Sequence, residues 1–135
     1  MKRLKKRIIS LVVILVSLVG LIFLSLYLKS VNDYQQSVKE ISFDEIDILD
    51  VADGIYIGEC NVNYIYAKVE VTIQNGVITS IIILEHKNER GKPAEAVIDE
   101  IIAEQRIDVD AVSGATNSST VLKKAVENAL AGTST

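Results

Sequence analysis

Between Ile8 and Leu28 the chain runs for 21 residues without a charged side chain, most of them Leu, Val and Ile. At helical rise such a stretch spans about 30 Å, the thickness of the hydrocarbon core of a bilayer. Inside a bilayer the backbone polar groups of a single segment are satisfied only by a helix, so this feature restricts the first quarter of the chain to one conformation. Lys2, Arg3, Lys5, Lys6 and Arg7 precede it, and no acidic residue occurs before Asp33. By the positive-inside rule the N-terminus is cytoplasmic and everything from Lys29 lies on the outer side. A cleaved signal peptide has a shorter apolar region and a small-residue cleavage site. Tyr27-Leu28-Lys29-Ser30 offers none, and no lipobox cysteine follows. The expectation is a cell-membrane protein with a single retained span, residues 1–29 forming a basic stub and anchor.

Beyond residue 28 the chain carries nine basic against 18 acidic side chains, a balance of −9. An outer domain of that charge lacks the basic footprint that nucleic acid requires. Cys60 stands alone, which rules out an intramolecular disulfide and metal clusters of the cysteine-rich kind. No metal site is expected. The remaining length suits one small domain.

Residues 30–50 are polar with scattered apolar positions (Tyr34, Val38, Ile41, Phe43, Ile46, Leu49) and are read as a linker. Ser42 and Glu45 have the spacing of a capping box. Gly54 to Cys60 reads as extended, and from Tyr64 to Ile73 the pattern alternates strictly. Ile65, Ala67, Val69, Val71 and Ile73 share one face, with Lys68, Glu70, Thr72 and Gln74 on the other, the period of a half-buried strand. Asn75-Gly76 has the chemistry of a hairpin turn. Val77 to Glu85 makes the return strand, and because Ile81-Ile82-Ile83-Leu84 is apolar on both faces, a helix is expected over the second face. His86 to Lys92 reads as a loop before Pro93, which suits a helix's first turn. Ala94, Val97, Ile98, Ile101 and Ile102 then fall on one helical face. A last helix carries the stripe Val121, Leu122, Ala125, Val126, Ala129 and Leu130 opposite Lys123, Lys124 and Glu127, and residues 132–135 form a frayed tail. The fold class is α+β: an antiparallel sheet packed with two helices, preceded by one transmembrane helix, with the domain proper over 51–131.

Between the two expected helices lies Asp110-Ala111-Val112-Ser113-Gly114-Ala115-Thr116, followed by Asn117-Ser118-Ser119-Thr120. A helix N-terminus carries unpaired N–H groups and the positive end of the macrodipole, and so attracts phosphate. Ser118 and Ser119 are candidate caps. Gly114 and Ala115 remove bulk where a planar ligand or a modifying enzyme approaches the backbone, and Thr116 offers an oxygen that can carry a phosphoester. The ordinary alternative is a tight turn before a helix-capping threonine.

The pattern Asp-x-x-Ser-Gly-Ala-Thr resembles the flavinylation motif of the FMN-binding domain family, whose members include components of sodium-pumping NADH:quinone reductases and of Rnf complexes as well as small membrane-anchored relatives. The resemblance extends to Asp53-Gly54-Ile55-Tyr56-Ile57-Gly58 and to Ala125-Val126-Glu127-Asn128-Ala129-Leu130. It implies FMN as cofactor, joined through its phosphate to Thr116 by a flavin transferase. Asp110 then belongs to what the transferase recognises, and Ser113, Gly114, Ala115, Asn117 and Ser118 are the accompanying cofactor-binding candidates. His86, the one histidine, is carried as a candidate neighbour of the flavin against the ordinary reading of a solvated surface residue. Tyr56, Tyr64 and Tyr66 offer rings for stacking, though tyrosines at strand spacing more often pack a sheet.

The function implied is an extracytoplasmic flavoprotein that relays electrons between membrane redox proteins or quinone, a carrier or subunit more than a stand-alone enzyme. The alternative is a domain that holds FMN noncovalently, or an adaptor without redox turnover of its own. A hydrolase using Ser113 or Thr116 with His86 as base is disfavoured, because the chain has no Gly-x-Ser-x-Gly elbow.

Overall fold

The computed structural model describes residues 1–62, 64–87 and 92–132. In chain order its elements are helix α1 (Lys2–Lys39), strands β1 (Gly54–Val62), β2 (Ile65–Gln74) and β3 (Val77–Lys87), and helices α2 (Val97–Glu104) and α3 (Thr116–Ala131). Single 3-10 turns occupy Ile48–Asp50 and Lys92–Ala96. By internal contacts the chain divides into two units, Met1–Asp33 and Tyr34–Thr135.

The first unit is helical from Lys2, and every side chain from Ile8 to Leu28 is exposed. The helix is long and apolar enough to cross a membrane. An apolar surface of that extent has no favourable place in water.

In the second unit the three strands form an antiparallel meander in the order β1-β2-β3. The face expected of β2 is the buried one: Ala67, Val69, Val71 and Ile73 have no exposure and Ile65 has 4%. Asn75 and Gly76 turn the chain at φ 53° and 72°, the two left-handed values that a type I′ turn needs. The Asp53 carboxylate accepts a hydrogen bond from the Asn75 N–H at 2.8 Å, which ties the start of β1 to this turn.

β3 departs from a simple alternation. Its register against β2 shifts at two places, so that Ile78, Ile81, Ile83 and His86 stand opposite Ile73, Val71, Val69 and Ala67. Bulges of this kind insert a residue and reset which face each side chain takes. The expected helix over the second face is absent from the described residues: Ile82 and Leu84 are 49% and 47% exposed, and Ile55 and Ile57 on β1 are more exposed still. Within the run the alternation is regular, so Ile82 and Leu84 form an apolar outer face that stays half exposed. α2 and α3 instead join the same core as the inner face of the sheet, through Val97, Ile98 and Ile101 and through Val121, Leu122, Ala125, Val126, Ala129 and Leu130.

Gly58 shows how closely α3 lies on β1. A Cβ there would collide with the Ala125 carbonyl oxygen and the Ala129 amide nitrogen, and would come within 2.7 Å of Ala129 Cα. Next to it, Asn128 donates to the Glu59 carbonyl at 2.8 Å. At the far end of α2, Gln105 adopts φ 54° and turns its amide onto the edge of β3. Its Oε1 accepts from the Ile78 N–H at 2.7 Å and its Nε2 donates to the Ile78 carbonyl at 2.9 Å, occupying backbone groups that an edge strand would otherwise expose.

Two expectations about connecting segments are corrected. Residues 30–50 are not merely a spacer: α1 continues to Lys39, Ile48 joins the core, and Ile41, Phe43 and Ile46 pack against it. Ser42 caps nothing there. Asp47 caps the 3-10 turn instead, its carboxylate accepting from the Leu49 N–H at 3.0 Å. Second, His86 and Lys87 belong to β3 and not to a loop. The rest of that loop, 88–91, and most of the expected tail, 133–135, lie outside the described residues. The strap formed by residues 41–48 also explains why Lys123 and Glu127, expected on the solvated side of α3, are only 6% and 2% exposed. It crosses that side, and Lys124 donates to the Ser42 carbonyl at 2.9 Å.

Candidate functional site

The residues from Asp110 to Ser118 form one site where a loop becomes α3. The Ala115 N–H donates to the Val112 carbonyl at 2.9 Å, closing a turn whose third residue, Gly114, has φ 81°. A type II turn requires that left-handed value, which explains the glycine on conformational grounds. Its surroundings are open as well: a Cβ would meet nothing within 4 Å. Ala115 is the N-cap and contributes no side-chain cap, so α3 begins at Thr116.

Ser118 and Ser119 therefore do not cap the helix as expected. They lie inside its first turn, 5% and 0% exposed. Ser119 has a different task, for its hydroxyl accepts from the Val112 N–H at 3.0 Å and donates to the Ala115 carbonyl at 2.8 Å. One side chain thus holds both ends of the turn. Asp110, Ser113, Gly114 and Thr116 are exposed and Asn117 is half-buried. Ala115, at 8% exposure, points into the core, so its small size answers to packing and not to ligand access.

Lys123, one helical turn beyond Ser119, holds the upstream part of the loop. Its ammonium donates to Asp108 Oδ1 at 2.9 Å and to the Val109 carbonyl at 2.7 Å, and lies 4.7 Å from the centroid of the Phe43 ring. Sequence reasoning missed both Ser119 and Lys123 as supports. The only signal was their spacing of four, which puts them on one face of α3.

His86 is apart from these residues in the chain and is not a solvated surface group. Its side chain is 2% exposed, with Nδ1 3.1 Å from Glu95 Oε1. That hydrogen bond holds the Glu95 carboxyl below its ordinary range. Tyr56 packs against the core and donates to the Ala52 carbonyl at 2.7 Å, while Tyr66 donates to Glu59 on the outer face at 2.8 Å. Tyr64 is half exposed. An open groove of about 680 Å³ lies between residues 45–49 and the β2–β3 hairpin, and no residue of the 110–118 stretch lines it.

Chemically, the site offers an exposed hydroxyl on the first residue of a helix whose cap supplies no side-chain acceptor, beside a glycine with free space around it. Backbone donors at such an end and the dipole behind them suit a phosphate group. No curated protein matches the chain significantly. Residues 66–131, which run from β2 through the turn to the end of α3, match the family model of the FMN-binding domain. Residues 53–58 lie upstream of that match, and their contacts give them a role in the frame: Asp53 on the hairpin turn, Tyr56 on Ala52, Gly58 beneath α3. Over residues 66–131 the chain is thus similar to the FMN-binding domain family, and that match indicates FMN as the cofactor.

Proposed function

We propose that the chain is a membrane-anchored flavoprotein, its domain on the outer side of the cytoplasmic membrane, that carries FMN on Thr116 through a phosphoester and relays electrons between membrane redox partners. The observation that carries this reading is the exposed Thr116 hydroxyl at an uncapped helix start, inside the residues that match the FMN-binding domain. Thr116 supplies the ester oxygen. The backbone donors at the start of α3, with half-buried Asn117, would face the phosphate, whereas the Ser118 side chain is buried. The turn from Val112 to Ala115 keeps the threonine outward, and exposed Asp110 is available to the transferase. His86, the remaining candidate, is tied to Glu95. A bound flavin supplies the acceptance and release of one or two electrons, and the protein supplies its position and surroundings. A covalent link suits a carrier outside the cytoplasm, where a dissociated cofactor is lost by dilution. The basic residues before the apolar span of α1 support the cytoplasmic placement of the N-terminus.

The test is the intact mass of the full chain, purified in detergent from cells with and without a flavin transferase, beside Thr116→Ala. The wild-type chain gains one FMN less a water only with the transferase, fragmentation places it on Thr116 and not on exposed Ser113, and Thr116→Ala gains nothing. An unchanged wild-type mass refutes the covalent link. Flavin that then co-purifies and is released on denaturation would establish the noncovalent alternative. For the relay itself, the attached flavin should bleach when quinol or NADH is supplied with donor membranes.

A further inference from the structure

Lys123 brings together three segments that are far apart in sequence. It sits on α3 one turn past Ser119; its two acceptors, Asp108 and Val109, lead into the turn that presents Thr116; and its ammonium lies under Phe43 of the strap. Taking an ammonium out of water costs several kcal/mol unless its donors are satisfied. At 6% exposure Lys123 is therefore held by these partners as much as it holds them. Beyond the burial of Ile107, Val109 and Ala115 in the core, the loop has few other hydrogen-bonded supports among the described residues. Val109 N–H donates to the Ile107 carbonyl, Val112 N–H to Ser119, and Ala115 N–H to the Val112 carbonyl. Ser119 secures the turn and Lys123 secures the stretch before it. The strap in turn is fixed to the same helix turn, since Lys124 donates to the Ser42 carbonyl and lies 5.8 Å from the Phe43 ring.

We propose that Lys123 is a positioning residue: seated under Phe43, its ammonium holds Asp108 and Val109, so that the strap following α1 in the chain sets how firmly the Thr116 turn is held. The carboxylate of Asp108 is 73% exposed, so that pair alone is too solvated to fix the geometry. The carbonyl of buried Val109 and the face of Phe43 define the ammonium's position. Displacing Phe43 opens one side of the ammonium to water and weakens its hold on Val109. Coupling of this kind concerns the protein itself, and holds whether or not a flavin is esterified to Thr116.

Hydrogen–deuterium exchange of the full chain in detergent micelles, prepared without a transferase, tests the proposal. In Lys123→Met, which keeps the apolar stem, exchange of the 107–115 amides rises about tenfold or more through loss of the buried charge-assisted hydrogen bond to the Val109 carbonyl. In Phe43→Ala the same amides rise about threefold through loss of a cation–π contact. β2 amides keep their protection in both. Lys123→Arg, which still donates and stacks, restores most of the protection at 107–115. Phe43→Ala placed on Lys123→Met adds nothing further, because the link is already cut. Additive effects in the double variant, unchanged exchange at 107–115, or an equal rise across β2 would each overturn the proposal.

Discussion

Replacing Gly58 with alanine tests the way α3 is seated. The new methyl would meet the Ala125 carbonyl, the Ala129 amide and Ala129 Cα at 2.7 Å, all of them backbone atoms. No rotamer change relieves such a collision, so either β1 bends away or α3 lifts from the sheet. Overpacking in a core costs about 1–3 kcal/mol, and a backbone-on-backbone clash belongs at the upper end, about 3 kcal/mol. In a domain of this size each kcal/mol moves the melting temperature by about 4–8 °C, so the fall should be roughly 12–24 °C. Tyrosine fluorescence of the full chain in detergent is the suitable probe, because Tyr56 and Tyr66 lie on β1 and β2 whereas far-ultraviolet dichroism would be dominated by α1. Gly54→Ala is the control. Its nearest neighbours are the phenol end of Tyr56 at 3.2 and 3.3 Å, a side-chain tip that can swing aside. If Gly58→Ala melts within about 2 °C of the wild type, the spread expected of a surface substitution, the close seating of α3 is wrong. Because α3 begins at Thr116, the same substitution should also slow the flavin attachment proposed for that residue.

Gly114→Ala separates conformation from space: nothing clashes, but an L-residue at φ 81° costs about 1–2 kcal/mol. A stability loss above that range, read from chemical denaturation, would mean that the turn is packed more tightly than the open surroundings of Gly114 imply. The Glu95 carboxyl, lowered by its hydrogen bond with His86, gives a signed pH dependence. A depressed folded-state value means that its stabilisation is complete above the ordinary value of 4.5 and is lost as pH falls through the lower one. Glu95→Gln should flatten the acid side of the melting-temperature profile below about pH 4.5, and a profile of unchanged steepness would show that the bond contributes nothing.

The parts of this fold that were legible in the sequence are those whose burial follows a local period. β2 read correctly because Ile65 to Ile73 alternate without interruption, and the hairpin because Asn75-Gly76 accepts two left-handed residues. The apolar stripes of α2 and α3 were legible for the same reason. β3 misled because apolar composition does not by itself report burial: Ile81-Ile82-Ile83-Leu84 is apolar on two faces although Ile82 and Leu84, on the outer one, are half exposed. The strap misled because its apolar residues follow no period, being placed by what lies beneath them. At the site, the exposed residues of the turn were legible as a pattern of types. Ser119, Lys123 and Gly58 were not, since a hydroxyl holding a loop, a buried ammonium and a glycine under a helix are consequences of tertiary contact alone.

Those three residues also account for how an exposed hydroxyl can be held in a fixed place. Thr116 itself makes no contribution to the core, and a threonine in a free loop would be ordered only at the expense of the loop's entropy. Here it is the first residue of a helix whose middle is wedged onto β1 at Gly58, whose first turn grips Val112 through Ser119 and whose second grips Val109 through Lys123. The ordering is supplied by burial elsewhere along α3, where Val121, Leu122, Ala125 and Val126 are fully enclosed. A group attached at Thr116 would therefore inherit the rigidity of the sheet, while the open side of Gly114 leaves room for an incoming enzyme or redox partner. Substitutions that loosen α3 should then disturb the site at a distance, whereas substitutions on the exposed outer face of the sheet, such as Ile57→Thr or Ile82→Thr, should leave attachment unchanged.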